Sequence, residues 1–244
     1  MTIDSLFILA GAFVGGFVSG LTGFGTGLTA LAFWLHAIGP KLAAPLVAVC
    51  SVIAHIQTLP AIWHAIDVKR VLPFIAGGVV GVPFGTVLLG YVTVEAFKLT
   101  VGVLLVAYCG ILLLGRVRLQ IAWGGRFADG LVGLGGGVLG GLAGLAGPLP
   151  TIWSNVRGWG KYEGRAMFQP FTLIILILAF SAQSAAGFIT LEFGQLVLIA
   201  LPGTVLGAWL GRRVYDGIED RRFNQVVLSL LLLSGVALIL GNIL

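Results

Sequence analysis

Apolar runs of about 20 residues, long enough to cross a bilayer as a helix, recur along this chain at roughly 42–63, 72–90, 97–115, 166–188, 196–211 and 224–243. In lipid each backbone polar group must find its partner within the protein, which leaves helices or a closed barrel. A barrel would need alternating strands of about 10 residues, and no such series occurs. Charge is scarce to match. Of 244 residues, 9% are Asp, Glu, Lys or Arg, against about 25% in soluble domains. That is too little polar side chain to cover a water-facing surface. A soluble enzyme, a nucleic-acid binder and a disordered chain are excluded. The chain reads as an all-α polytopic membrane protein whose main partner is the lipid bilayer.

Two segments depart from this pattern. Residues 3–39 are too long for one straight span and carry Gly11, Gly15, Gly16, Gly20, Gly23, Gly25 and Gly27. Residues 127–156 hold nine glycines between Gly130 and Gly147, followed by Pro148 and Pro150. Such density breaks helices, because glycine adds backbone entropy and proline removes a donor. The two segments are also alike: SGLTGFGTGLTALAFW (19–34) matches GGLAGLAGPLPTIW (140–153) at an offset of about 121. Pro45 then answers to Pro170, GVPFGTVLLG (81–90) resembles PGTVLGAWLG (202–211), and Phe97 answers to Phe223. The chain divides into two transmembrane repeats, 1–120 and 121–244, each a broken segment followed by three helices. Such repeats are common in transporters.

Loop charges choose between two topologies. If each broken segment crosses once, Lys and Arg split nine to five between the faces. If each is a hairpin returning to its side of origin, Lys69, Arg70, Arg116, Arg118, Arg126, Arg157, Lys161, Arg165, Arg212, Arg213, Arg221 and Arg222 share one face, with only Lys41 and Lys98 opposite. Twelve to two is the positive-inside pattern. The expected architecture is therefore two inverted repeats, each a glycine-rich re-entrant hairpin plus three helices. Both termini lie outside a cytoplasmic (inner) membrane, Tyr91 and Glu192 face out, and Gln120 and Gly217 face in. The net charge of +5 is explained by these loops, so no nucleic acid is implied. The N-terminus carries Asp4 in place of a basic stretch and does not read as a cleaved signal. Trp34, Trp63, Trp123, Trp153 and Trp159 sit near segment ends and read as an interfacial belt.

Helix ends inside a bilayer have unsatisfied N–H groups. Half-helices starting near Thr26 and near Pro148, a favoured first-turn residue, would aim these donors at the breaks and form an anion site without formal charge. Candidate binding residues are Thr22, Gly23, Gly25, Thr26 and Gly27 in one half and Gly144, Gly147, Pro148, Thr151 and Ser154 in the other. Thr29 and Asn155 are nearby donors. His55, Gln57 and Gln183 lie within apolar helices and are expected to reach the site, with Gln169 and Tyr108 further candidates. A plainer account of the glycines is helix packing, since Gly16/Gly20, Gly133/Gly137 and Gly137/Gly141 fit GxxxG. Both can hold.

Other chemistries find no support. The acids are terminal, in loops or, for Asp129, near a hairpin start, so no midplane carboxylate pair offers a proton or cation relay. GxSxG and HExxH are absent; Ser51 and His55, four apart, are the nearest approach to a hydrolytic dyad and a weak one. Residues 135–140 fit GxGxxG but lack a preceding strand. Cys50 and Cys109 read as small core residues. No enzyme, metal or cofactor is expected.

The motifs Gly20-Leu21-Thr22-Gly23-Phe24-Gly25-Thr26-Gly27 and Gly144-Leu145-Ala146-Gly147-Pro148-Leu149, each ahead of three helices, resemble the half-motifs of the sulfite exporter TauE/SafE family, also called the 4-toluene sulfonate uptake permease family. Ala32 stands where that family usually has proline, and the second motif is one glycine and one proline short. The resemblance covers essentially the whole chain. It implies transport of a small sulfur-containing oxyanion such as sulfite, thiosulfate or an organosulfonate, and leaves both monomer and homo-oligomer open.

Overall fold

The computed structural model describes residues 3–114 and 124–215, together with Leu232, Gly235, Val236, Ile239 and Leu240. Those residues form helices α1 (Ile3–Thr22), α2 (Thr26–Trp34), α3 (Pro40–Thr58), α4 (Val68–Tyr91), α5 (Val94–Leu114), α6 (Gly125–Ala143), α7 (Pro148–Val156), α8 (Lys161–Ala185) and α9 (Leu191–Tyr215). Two short 3-10 turns follow α3. Among the described residues five segments are long and apolar enough to span a membrane: Asp4–Thr22, Pro40–Ala61, Val68–Tyr91, Tyr162–Ala185 and Leu191–Val214. The expected run 224–243, the boundary near residue 120 and the loop residues Arg116, Arg118, Gln120, Trp123, Gly217, Arg221, Arg222 and Phe223 lie outside the described residues.

Both glycine-rich segments break where the sequence places the break. Helix α1 stops at Gly23, whose φ of +83° ends the helical run, and α6 stops at Gly144, φ +70°. Their amides close the last turns, Gly23 N–H onto Ser19 O at 2.8 Å and Gly144 N–H onto Gly140 O at 2.9 Å. In each case the chain then turns back. Trp34, the last residue of α2, donates its indole N–H to Ile8 O near the start of α1, at 2.9 Å. Trp153 in α7 donates to Asp129 Oδ1 near the start of α6, at 2.8 Å. Ile8 and Asp129 are 121 residues apart, the same spacing as Gly23 and Gly144. Each short helix therefore folds back along the long helix before it, closed by a tryptophan at an equivalent place. This corrects the interfacial reading of Trp34, which is fully buried.

The long arm of each hairpin packs on a helix of the other half. Gly16 and Gly20 of α1 meet the backbone of Thr204 and Ala208 in α9, while Gly207 and Gly211 meet Phe13 and Phe17. Gly133, Gly137 and Gly141 of α6 meet Phe74, Gly78 and Val82 of α4. Both pairs are parallel, and their glycines let the backbones touch. Helices α3 and α8 run antiparallel in the centre: Lys41 at the start of α3 lies over the Phe188 ring beyond the end of α8, while Thr58 at the end of α3 meets Gln169 in the early turns of α8.

Charge gathers at one end of this bundle. Arg70 pairs with Glu163 at 3.7 Å and lies over the Trp159 ring, and Arg157 pairs with Asp129 at 3.2 Å. Arg212 Nη1 donates to Gln57 O at 3.0 Å. One assignment is corrected here: Arg165, counted with the loop cations, is a buried residue of α8, while Asp129 lies near the start of α6 as expected and is buried too.

Candidate functional site

The two breaks lie side by side. Gly27, in the first turn of α2, approaches Gly144 O and Leu145, and Gly147, just ahead of α7, approaches Phe24. Between them is a narrow void of about 10 Å³, about the room one water molecule needs. Gly25, Gly27, Gly144, Gly147 and Pro148 form its backbone walls, and Phe24, Leu28, Leu145 and Leu176 its apolar ones. Ser51, His55 and Thr172 supply the polar side chains. Two of those project unpartnered polar atoms in a buried setting: His55 Nε2 and Thr172 Oγ1. His55 is 1% exposed and Thr172 3%.

Backbone donors face the same space. In α2 the first i→i−4 bond is Thr29 N–H to Gly25 O at 3.1 Å, so the N–H groups of Thr26, Gly27 and Leu28 have no carbonyl behind them within the helix. In α7 the first such bond is Thr151 N–H to Gly147 O. Pro148 and Pro150 have no N–H, which leaves Leu149 as the free amide of that turn. The positive end of α2 is the richer donor.

The structure sorts the expected site residues into three groups. Gly25, Gly27, His55, Gly144, Gly147 and Pro148 line the void. A second group surrounds it with hydroxyls turned onto the backbone. Thr22 Oγ1 donates to Val18 O at 2.9 Å or Phe24 O at 2.6 Å, Thr29 Oγ1 to Gly25 O, Thr151 Oγ1 to Gly147 O and Ser154 Oγ to Thr151 O. Thr26 sits at the α2 start with its hydroxyl buried and unpartnered, its methyl against Gly15 of α1. A third group holds the hairpins in place. Gln169 Nε2 donates to Gly23 O at 3.1 Å and to Thr58 Oγ1 at 3.2 Å. Gln183 Nε2 donates to Gly141 O at 2.8 Å. One helix, α8, thus grips each hairpin with one glutamine. Gln57, expected to reach the site, is half-buried and does not line the void. The side chains of Tyr108 and Asn155 lie outside the described part of the structure.

Ser51 and Thr172 are wall residues that the site expectation omitted. Ser51 stands one turn before His55 on α3 and was legible as its neighbour. Thr172 carries no local signal; it is found only once α8 is packed against the two breaks. No metal-binding group of His, Cys, Asp or Glu occurs among the described residues.

No curated protein and no solved structure matches the chain. A family model described as sulfite exporter TauE/SafE matches residues 7–238. With both glycine breaks and nearly all of the hairpins and apolar spans inside that match, the chain belongs to the sulfite exporter TauE/SafE family of membrane transporters.

Proposed function

We propose that this protein is a multi-pass permease of the cytoplasmic membrane that exports a small sulfur-containing oxyanion. The anion rests in the void between the two hairpin breaks, held by the N–H groups at the start of α2, by Leu149 N–H and by the Thr172 hydroxyl. The observation that carries the reading is this juxtaposition: two helix breaks share one buried space with unpartnered polar atoms inside it. Neutral donors suit an oxyanion with several acceptor oxygens, recognised by hydrogen-bond count. The void is smaller than such an anion, so in this reading the hairpin tips separate to admit it.

The halves are read as inverted repeats, with domains near 1–120 and 121–244. Antiparallel α3 and α8 and the crossed pairing of α1 with α9 and α6 with α4 support this. The cationic end of the bundle is placed in the cytoplasm, and both termini outside. Export follows from electrostatics. Moving one charge through 100 mV is worth about 2.3 kcal/mol, a bias of roughly 50-fold for expelling a monovalent anion from a negative cytoplasm.

Proteoliposomes loaded with radiolabelled sulfite, thiosulfate or methanesulfonate, with membrane potential set by a potassium gradient, test this. At least one of these anions should leave faster when the interior is negative. Flux indifferent to potential would overturn the electrophoretic mechanism, and the absence of flux for every oxyanion would overturn the permease reading.

A further inference from the structure

The hydrogen bonding of His55 leaves only one polarity at the void. Its Nδ1 lies 2.6 Å from Ser51 O. A carbonyl oxygen only accepts, so Nδ1 carries a proton. In the neutral ring Nε2 is then a bare lone pair, an acceptor. That atom is buried and without a partner, on a residue of the void's wall. The Ser51 and Thr172 hydroxyls can turn to donate or accept, so His55 is the one side chain on the wall that can only accept.

An oxyanion whose oxygens bear only lone pairs would meet this nitrogen lone pair to lone pair. An oxyanion that keeps one acidic hydrogen would donate it. We propose that His55 is the specificity-determining residue of the site, and that its Nε2 selects the mono-hydrogen form of a dibasic oxyanion, hydrogensulfite over sulfonates or thiosulfate. The proposal rests on the permease reading above and specifies its cargo. The loaded site holds one proton on the line between cargo oxygen and Nε2. Whether that proton sits on oxygen or nitrogen, cargo plus ring carry a net charge of minus one, and on release the proton leaves with the anion. No bond other than this O–H···N contact is made or broken.

The other polar side chains of the wall can all turn to donate to the anion. Ser51 and Thr172 carry hydroxyls, and α2, α6 and α7 present glycine, leucine and proline there. Of the charged groups, Arg165 of α8 is near enough to act on the ring electrostatically. Its side chain lies near Gly23 and is not part of the wall. Sulfite suits such a site because its second ionisation falls near neutral pH, so the hydrogen form is abundant in a cell. Thiosulfate and sulfonates are conjugate bases of strong acids and reach the site without a hydrogen.

The experiment compares sulfite with methanesulfonate and thiosulfate in proteoliposomes, across pH, for the native protein and His55→Gln. The glutamine amide offers both a donor and an acceptor and can turn its donor inward. The native protein should prefer sulfite by about 10- to 100-fold, the cost of one buried mismatched hydrogen bond. Its sulfite flux should fall at alkaline pH in step with the hydrogensulfite fraction. In His55→Gln the ratio of sulfite flux to methanesulfonate flux should shrink toward parity, whatever the absolute rates. A native protein that takes methanesulfonate as readily as sulfite overturns the proposal and leaves the permease reading standing. So does a preference unchanged in His55→Gln. No flux of any oxyanion overturns both. Nitrogen NMR of histidine-labelled protein in which His36 and His64 are replaced by Gln, so that only His55 reports, checks the premise without transport. The anion-free ring should show a protonated Nδ1 and a bare Nε2, and the opposite tautomer would overturn the proposal even if the variant fails to fold.

Discussion

Gly25 and Gly147 stand at matching places ahead of the two short helices, yet they are glycine for different reasons. Gly25 has φ +104°, a conformation that costs other residues roughly 1–2 kcal/mol. Gly147 has an ordinary backbone, but a Cβ there would lie 3.2 Å from Phe24 Cβ and 3.6 Å from Thr172 Oγ1, inside the void. The two substitutions should therefore separate stability from transport. Gly147→Val is expected to cut anion flux at least about tenfold, since a branched side chain blocks the approach of cargo to the wall, while the melting temperature in detergent falls less than in Gly25→Val, where backbone strain adds to crowding. Gly25→Val should lower both. Normal flux in a folded Gly147→Val protein would remove the void from the transport path. His55 is the residue at which sequence alone said least: an imidazole in an apolar helix is commonly an interhelical tie, and only the Ser51 carbonyl decides which nitrogen faces the void.

At the scale of the element, the hairpins are closed structures. The second is tied by a short network in which Asp129 accepts from Trp153 and pairs with Arg157, both partners coming from α7 or the residue after it. Arg157 also reaches Gly125 O at 3.3 Å. Removing the carboxylate leaves a half-buried guanidinium and an indole N–H without their acceptor. Asp129→Ala should cost about 3 kcal/mol, read as a fall in thermal stability in detergent. Asp129→Asn should cost less, because its amide oxygen still accepts from Trp153. Equal losses in the two variants would mean that the network does not hold the hairpin. The first hairpin achieves closure without charge, through Trp34 and Ile8 O. Sequence comparison found the two glycine clusters at once, because glycine and proline act locally on the backbone. It missed the tryptophan ties, because an indole near a segment end looks the same whether it faces headgroups or a neighbouring helix.

At the scale of the whole molecule, two charge patterns coincide. The cations whose contacts are described lie where α4, α6 and α8 begin and α3, α7 and α9 end, while Lys41 sits at the opposite end. If the cationic end is cytoplasmic, single cysteines at Tyr91 and Glu192 should react with an impermeant thiol reagent added outside intact cells. Cysteines at Lys69 and Tyr162 should react only after permeabilisation. All four positions are exposed. Labelling of Tyr91→Cys and Lys69→Cys from the same side would overturn the orientation.

Helical class, the two breaks, the spans and family membership could be read from the chain because each depends on local composition. Lipid demands about 20 apolar residues per crossing, glycine and proline interrupt a helix wherever they cluster, and motif spacing survives in one dimension. The walls of the void could not. Gly27 beside Gly144, Thr172 beside Gly147 and the separate grips of Gln169 and Gln183 join residues far apart in sequence. Such contacts depend on how α3 and α8 cross and on how closely glycine faces let α1 meet α9 and α6 meet α4. The same hydroxyl can turn onto its own helix, as Thr151 does, or into the void, as Thr172 does. The choice is set by the neighbouring helix, which periodicity along one segment does not record.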